Sequence, residues 1–339
     1  MKRNCESFAF ICLALASALL FLTACDAGET GNAGDTEGTR ESTEAATTVF
    51  TEALPDQPDE SETESSSSAN GDAAADDSNP DESQTDAVPS SKGLAYTVND
   101  DGQTCTVTGI GKCTDKNVRV GEFIDGYRVT AIKSFAFARE GKITSITLSD
   151  SVASIGSQAF FDCVLLTSVT LGSGLSSVGR NLFDGCAVLT SITVAEGNAT
   201  YYAEGNCLIE RATRTLVEGC SASVIPEGVT AIGEGAFYNC KDLTSITIPN
   251  GVVSIGDNAF AYCRALQTVH MSDSVATIGE GAFLNCEALT SLAIGNGLTT
   301  IGKSAFKYCE ALPTLTIPDS VTDIASEDYT SYHSHWHCN

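Results

Sequence analysis

The sequence predicts a β-rich solenoid of stacked 23-residue turns behind a disordered acidic linker, and three observations carry that prediction. Phenylalanine recurs every 23 residues, at Phe137, Phe160 and Phe183 and again at Phe237, Phe260, Phe283 and Phe306. A fixed period of this length is the mark of a repeat array. Within the units, stretches such as Leu243-Thr-Ser-Ile246-Thr-Ile248 alternate apolar and hydroxyl residues, which places one face of a strand inward. Third, the charge of −26 on 339 residues is unevenly spread. Residues 26–92 hold 18 Asp plus Glu against Arg40 and Lys92, a balance of −16; residues from Gly93 onward add −11, and those before Cys25 add +1. So acidic a chain offers no basic face to phosphates, which excludes a nucleic-acid partner and direct docking on anionic lipid.

Taken in order, residues 1–24 read as an export signal. Lys2 and Arg3 precede the uncharged apolar run Phe8 to Leu22, and small residues follow. A helix of that length reaches roughly 22 Å, short of the approximately 30 Å hydrocarbon core, so the run is too short for a retained span. Leu22-Thr23-Ala24-Cys25 resembles a bacterial lipobox. That resemblance implies a diacylglyceryl thioether on Cys25 and cleavage before it; the alternative is an ordinary secretory signal. Two acyl chains satisfy the requirement for stable anchoring that one chain does not. Residues 25–92 are then the lipidated Cys and an acidic Ser/Thr-rich linker whose only large apolar residues are Val49, Phe50, Leu54 and Val88. Such a tract buries too little to offset chain entropy and is expected to be a disordered spacer.

Residues 93–128 contain Tyr96-Thr-Val-Asn-Asp-Asp-Gly102 and Cys105-Thr-Val-Thr-Gly109-Ile-Gly111, a strand-turn-strand pattern read as an N-terminal β cap. The array runs over residues 129–328. Val252, Ile255, Gly256, Ala259, Phe260, Cys263, Leu266, Val269 and Met271 recur one period later as Val275, Ile278, Gly279, Ala282, Phe283, Cys286, Leu289, Leu292 and Ile294. Each unit therefore reads as an alternating strand, a turn at Pro249-Asn250-Gly251, a second apolar pair, and a short helical or irregular turn from Asp257 to Cys263. A single unit cannot stand alone. Ordering each of its backbones costs roughly 1 to 2 kcal/mol, and each buried apolar side chain returns only about 1.5 to 3 kcal/mol. Stacked strand ladders and shared apolar rows must supply the rest. The 54-residue gap from Phe183 to Phe237 holds an insert at about 195–223, in which Cys207-Leu-Ile-Glu210 and Thr215-Leu-Val-Glu218 read as a hairpin. Residues 329–339 continue the register with Tyr329 and Tyr332, so that a decayed repeat, with His335 at the Leu position, ends in a His-rich tail.

The unit Leu-x-x-Ile-x-Ile-Pro-x-x-Val-x-x-Ile-Gly-x-x-Ala-Phe-x-x-Cys resembles the BspA-like, Treponema-type leucine-rich repeat of bacterial surface proteins. The resemblance implies an α/β-type leucine-rich-repeat solenoid with a parallel sheet. It also implies a role in adhesion to host matrix, host cells or other bacteria, with no catalytic residues and no cofactor. The ligand is not implied, because a solenoid displays whatever its exposed positions carry.

Among residues with reactive chemistry, Cys163, Cys186, Cys240, Cys263, Cys286 and Cys309 fall once per turn. They read as a buried apolar column. Adjacent turns lie close enough for disulfides, but side chains in register run parallel and would have to rotate. Cys105 and Cys113, eight apart, either pair across a hairpin or stay free. His333, His335, His337 and Cys338 form the one metal-like constellation, a weak candidate because chain ends are rarely pre-ordered. No phosphate loop, zinc-protease helix or activated nucleophile appears.

The outward strand positions are Ser145, Thr147, Ser168, Thr170, Ser191, Thr193, Ser245, Thr247, Thr268, His270, Ser291, Thr314 and Thr316, with Ala293 as the second member of the Ser291 pair. They predict one hydroxyl-studded face, shallow and without aromatics, suited to a broad contact with an extracellular protein or glycan. Simple β-propensity also accounts for threonine there. Aromatic hot-spot candidates are Phe161, Tyr238, Tyr262 and Tyr308 on the opposite edge, and Tyr201 and Tyr202 on the insert. The expected object is a non-catalytic, lipid-anchored binding protein on the bacterial surface. The alternatives are a metal-handling or enzymatic lipoprotein using the C-terminal His/Cys cluster, and a structural array lacking its partner domain.

Overall fold

A computed structural model describes residues 89–325 and the backbone of Trp336–Cys338. The lipobox, the acidic tract, His333 and His335 lie outside the described residues. The described chain is a parallel β-solenoid whose turns are linked by three ladders. Long strands form the first: Asn117–Val120, Ser145–Leu148, Ser168–Leu171 and Ser191–Val194 make a four-stranded parallel sheet, and Ser245–Ile248, Thr268–Met271 and Ser291–Ala293 a three-stranded one. Ser145 pairs with Ser168 and Ile246 with Val269, so one step across the sheet is one 23-residue period. Two-residue strands such as Ser154–Ile155 and Ser254–Ile255 form the second ladder. The third runs through the Phe segments, where Phe260 N–H donates to the Ala282 carbonyl at 2.7 Å and Phe137 N–H to that of Ala159 at 2.8 Å.

That third segment is not helical, and among the described residues there is no helix. The α/β label is corrected to all-β for this reason. Each copy holds two left-handed residues: Asn258 and Tyr262 (φ 54° and 63°) in one, Asn181 and Gly185 (54° and 77°) in another. A left-handed residue every four positions interrupts the helical path, so the chain advances by successive turns, with Ala261 N–H on Asn258 and Cys263 N–H on Phe260. Asn and Gly adopt these angles at low cost and supply many of the positions. Phe135, Tyr262 and Tyr308 do so against their preference.

The inward rows close the core. Phe137, Phe160 and Phe183 stack at 5.7 Å between centroids, and Phe237, Phe260, Phe283 and Phe306 at 4.9 to 5.4 Å. The two stacks belong to two apolar cores, one running from Leu94 to Cys220 and the other from Cys207 to Ile317.

Between them the insert forms more than a hairpin. Tyr201–Glu204 adds a third antiparallel strand to Cys207–Glu210 and Thr215–Glu218. The last strand then joins the short-strand ladder in parallel, Leu216 opposite Ile232. This coil takes 16 residues, where Ile232 to Ile255 takes 23. It omits the phenylalanine: Gly219 N–H meets the Ala236 carbonyl at 2.8 Å, the partner a Phe would have, and a Cβ on Gly219 would run into the Phe237 ring. Glycine is required there because the neighbouring ring fills its side-chain space. Strand Cys207–Glu210 is buried on both faces, sending Cys207 and Ile209 to one core and Leu208 to the other.

At the N-terminal end Ala95–Val98 pairs antiparallel with Thr104–Gly109, which in turn pairs in parallel with Tyr127–Ile132. At the other end Trp336–Cys338 pairs with Leu315–Ile317, Leu315 opposite Trp336. That offset is 21 residues, two short of the period, so the strict register placing His335 at the Leu position does not hold.

Candidate binding surfaces

The outward rows of the long strands sit where the alternation places them, but the short turn divides them. It contributes no long strand, so Ser145, Thr147, Ser168, Thr170, Ser191 and Thr193 lie on the four-stranded sheet, while Ser245, Thr247, Thr268, His270 and Ser291 lie on the three-stranded one. The expectation of one continuous hydroxyl face is corrected to three stretches, with Thr316 on the separate pair of Leu315–Ile317 and Trp336–Cys338. Their exposure also differs. Ser245, Thr247, His270, Ser291, Thr314 and Thr316 are exposed, as is Thr193 on the first sheet, whereas Ser145, Thr147, Ser168, Thr170, Ser191 and, on the second sheet, Thr268 are half-buried. On the first sheet the hydroxyls partly serve the fold, since Thr193 Oγ1 bonds Thr170 Oγ1 at 3.1 Å and Ser145 Oγ bonds Asn117 Oδ1 at 2.9 Å.

Threonines just before the strands are structural in a way that composition did not reveal. Thr167 Oγ1 donates to the Thr144 carbonyl at 2.9 Å, and Thr299 Oγ1 to the Ala276 carbonyl at 3.0 Å, each exactly one turn back in the chain. These carbonyls already accept the N–H groups of Thr167 and Thr299 at 2.8 Å, and the hydroxyls add a further donor to each at the ends of the ladders.

The aromatic candidates separate by burial. Tyr201 is only 6% exposed and packs into the N-terminal core, so it is withdrawn as a contact residue. Its strand lies between the two cores, with Tyr201 in one and Tyr202 against the other, so the Tyr201 ring is not presented. Tyr202 is half-buried with the Arg211 guanidinium 5.1 Å from its centroid. Phe161 is half-buried beneath Arg139, at 5.4 Å. Tyr238 and Tyr262 pair at 5.4 Å and 58°, and Tyr308 is 37% exposed.

The cysteine column has a function beyond filling space. Cys163, Cys186, Cys263, Cys286 and Cys309 donate their S–H to the Phe carbonyl of the preceding turn, at 2.9 to 3.2 Å. Each of these carbonyls thus accepts a thiol besides the N–H of its own turn, as Phe237 does from Cys240 and Cys263. The ten described cysteines are free thiols, Cys105 and Cys113 among them. Cys105 lies opposite Val98 on one side and Val129 on the other, which leaves Cys113 outside its hairpin pairing. Burial pushes the Cys263 thiol up to about 12 and that of Cys240 well above its ordinary value. Such thiols are poor nucleophiles. Cys263→Ala is expected to cost about 1 to 2 kcal/mol in urea unfolding, from the lost S–H bond and the small void. An unchanged midpoint would mean that neither the thiol bond nor the side-chain volume supports the core.

No group of three His, Cys, Asp or Glu that could hold a metal occurs among the described residues. His337 is placed by its backbone opposite Thr316.

The repeat geometry has direct counterparts. The profile of the BspA type leucine rich repeat region matches in six copies over residues 128–207 and 218–334. A T. pallidum leucine rich repeat protein is 25% identical, with 66% of this chain and 89% of that one covered and a TM-score of 0.41. A leucine-rich repeat protein from Bacteroides ovatus is 24% identical over 69% of this chain and 60% of that one, at a TM-score of 0.50. A protein of Faecalibacterium prausnitzii, described as a leucine rich cell surface protein, is 20% identical over 69% of this chain and 83% of that one, at 0.32. No curated protein matches the chain. The 23-residue period, the inward Phe and Cys rows and the six matched copies together place this chain in the BspA-type leucine-rich repeat family.

Proposed function

We propose that this protein is an exported, lipid-anchored, non-catalytic module of the bacterial surface that binds extracellular macromolecules through the outer face of its long strands. One observation carries the reading: on the three-stranded sheet, Ser245, Thr247, His270 and Ser291 form an exposed, rigid and shallow polar surface that the core does not need. Ladder bonds hold the backbone beneath it, so binding there costs little ordering. A flat face of this kind suits a broad contact rather than enclosure of a small substrate. Export and anchoring rest on the Lys2-Arg3 start, the apolar run and Cys25 in its lipobox; the acidic tract would then hold the array away from the membrane.

The test is binding of the purified protein to matrix proteins, host cells and neighbouring bacteria. Saturable binding is expected, weakened at least tenfold by Thr247→Arg together with His270→Glu with the melting temperature unchanged. No saturable binding to any of them overturns the proposal.

A further inference from the structure

The edge of the solenoid formed by the Phe segments carries a second arrangement that neither the core nor the outer sheet uses. Two positions after each phenylalanine the chain is left-handed, and in the last four regular turns this column reads Asn239, Tyr262, Asn285, Tyr308, with φ between 54° and 63°. Amide and aromatic side chains therefore alternate turn by turn. Their spacing is fixed by the backbone: Asn239 N–H donates to the Ala261 carbonyl at 2.8 Å, Tyr262 N–H to that of Leu284 at 2.7 Å, and Asn285 N–H to that of Lys307 at 2.9 Å. With adjacent turns about 4.8 Å apart, the rings of Tyr262 and Tyr308 stand about 10 Å apart along the axis. Tyr238 stands beside Tyr262, 5.4 Å between centroids and tilted by 58°, so that it flanks the first ring. Tyr308 is 37% exposed and carries Lys307 at 5.3 Å from its centroid.

Two features say that these rings serve a ligand. The left-handed conformation is costly for a bulky side chain and cheap for Asn, Asp or Gly, which hold the column at Asn239, Asn285, Asp162 and Gly185, with Arg139 in the first turn the other bulky exception. Tyrosine is retained at the two positions against the local backbone, and such strain collects at functional sites. Two cations along this edge are paired with carboxylates, Lys241 with Asp162 at 3.7 Å and Arg264 with Glu287 at 3.2 Å, while Lys307 lies over Tyr308. The ledge complements an uncharged partner better than an anionic one.

We propose that this ledge binds an uncharged, extended β-1,4-linked glycan laid along the solenoid axis. In such a chain successive sugars alternate their faces, so every second ring presents the same face, and that two-sugar repeat matches the two-turn distance between Tyr262 and Tyr308. The apolar ring faces stack on the tyrosines, Asn285 offers its amide to the hydroxyls between them, and Asn239, whose Nδ2 donates to Asp184 Oδ1 at 2.7 Å, offers its Oδ1 as an acceptor. The inference rests on the reading of the array as a binding module but uses a different surface from the outer sheet.

The experiment is calorimetric titration of the protein with cellohexaose, chitohexaose and a heparin hexasaccharide. Cellohexaose or chitohexaose is expected to bind and heparin not to. Tyr262→Asn and Tyr308→Asn should each weaken the binding at least tenfold while leaving the melting temperature equal or higher, because asparagine suits the left-handed backbone. Tyr262→Phe should retain it, and the sheet substitutions Thr247→Arg and His270→Glu should leave it unchanged. No binding of either neutral hexasaccharide, binding insensitive to both tyrosine substitutions, or a ledge needed only for a protein ligand would overturn the proposal. Loss of glycan binding through the sheet substitutions alone would overturn it while leaving the outer-sheet reading intact.

Discussion

Replacing Phe260 with alanine will lower the unfolding free energy by roughly 3 to 5 kcal/mol, the range for deleting a fully buried aromatic side chain. Phe260 is fully buried and sandwiched between Phe237 at 4.9 Å and Phe283 at 5.1 Å, with ring planes within 7° of parallel. Neighbouring turns cannot collapse into the void, because Phe260 N–H and the Phe237 N–H ladder bond hold the turn spacing at every level. The loss should fall first on the C-terminal core, which meets the N-terminal one across the insert. In a solenoid, stability is a sum over repeats and their interfaces, so one weakened interface opens its own neighbourhood. Hydrogen exchange should accelerate across residues 232–301 more than across 129–192. A control close by in the repeat is Phe135, 54% exposed, whose replacement by alanine should shift stability by no more than about 0.5 kcal/mol. A Phe260→Ala protein that unfolds at the wild-type urea concentration would remove the phenylalanine column from the core.

What the sequence revealed of this architecture follows from what repeats. Phe, Ile and Cys at fixed positions in the units face inward in the same way each time, so period, strands and core rows are legible from residue spacing alone. The short turn from Leu216 to Ile232 was not, because it lacks the phenylalanine that marks a turn; what marks it is Gly219, whose requirement appears only when Phe237 is in place. The break between the first two stretches of the hydroxyl face follows from that same hidden turn. Asn at 181, 239, 258 and 285 and Gly at 185, 235 and 281 hint at the left-handed positions, yet Gln158, Tyr262 and Tyr308 occupy the same columns and mask the rule. The S–H bonds of the cysteines depend on where a carbonyl of the preceding turn points, which residue identity does not encode. Tyr201 looked exposed because its segment breaks the period, and it is buried because that segment is wedged between two cores.

The seam at the short turn also predicts an unusual dependence on pH. Glu218 is 4% exposed, and the Leu182 N–H donates to its Oε1 at 2.9 Å. The Asn181 N–H bonds the carboxyl too. In regular turns the N–H equivalent to that of Asn181 finds a carbonyl of the next coil, as Gln158 does at Arg180 and Asn258 at Glu280. The shortened coil cannot supply one there, and the glutamate side chain takes its place. Removing it with Glu218→Leu strands two buried N–H groups and should cost about 2 to 6 kcal/mol at 1 to 3 kcal/mol each. Burial raises the Glu218 carboxyl well above its ordinary value, and the neighbouring Asp184 charge adds to this, outweighing the two N–H donors that favour the anion. The folded chain therefore holds the proton more tightly than the unfolded chain does. Glu218 contributes its full stability below the unfolded value of 4.5 and loses it as pH climbs from there through the raised folded value. Glu218→Gln keeps an acceptor for Leu182 and has no proton to lose. The difference in urea midpoint between Glu218→Gln and wild type should thus grow in favour of the variant as pH rises from 4.5 toward 8. Taking the difference cancels carboxylates of the opposite sign, such as Asp101, whose own value is lowered by its bonds to Thr104 and Gln103. A difference that stays flat across that range would mean that the seam carboxyl is not held in its neutral form.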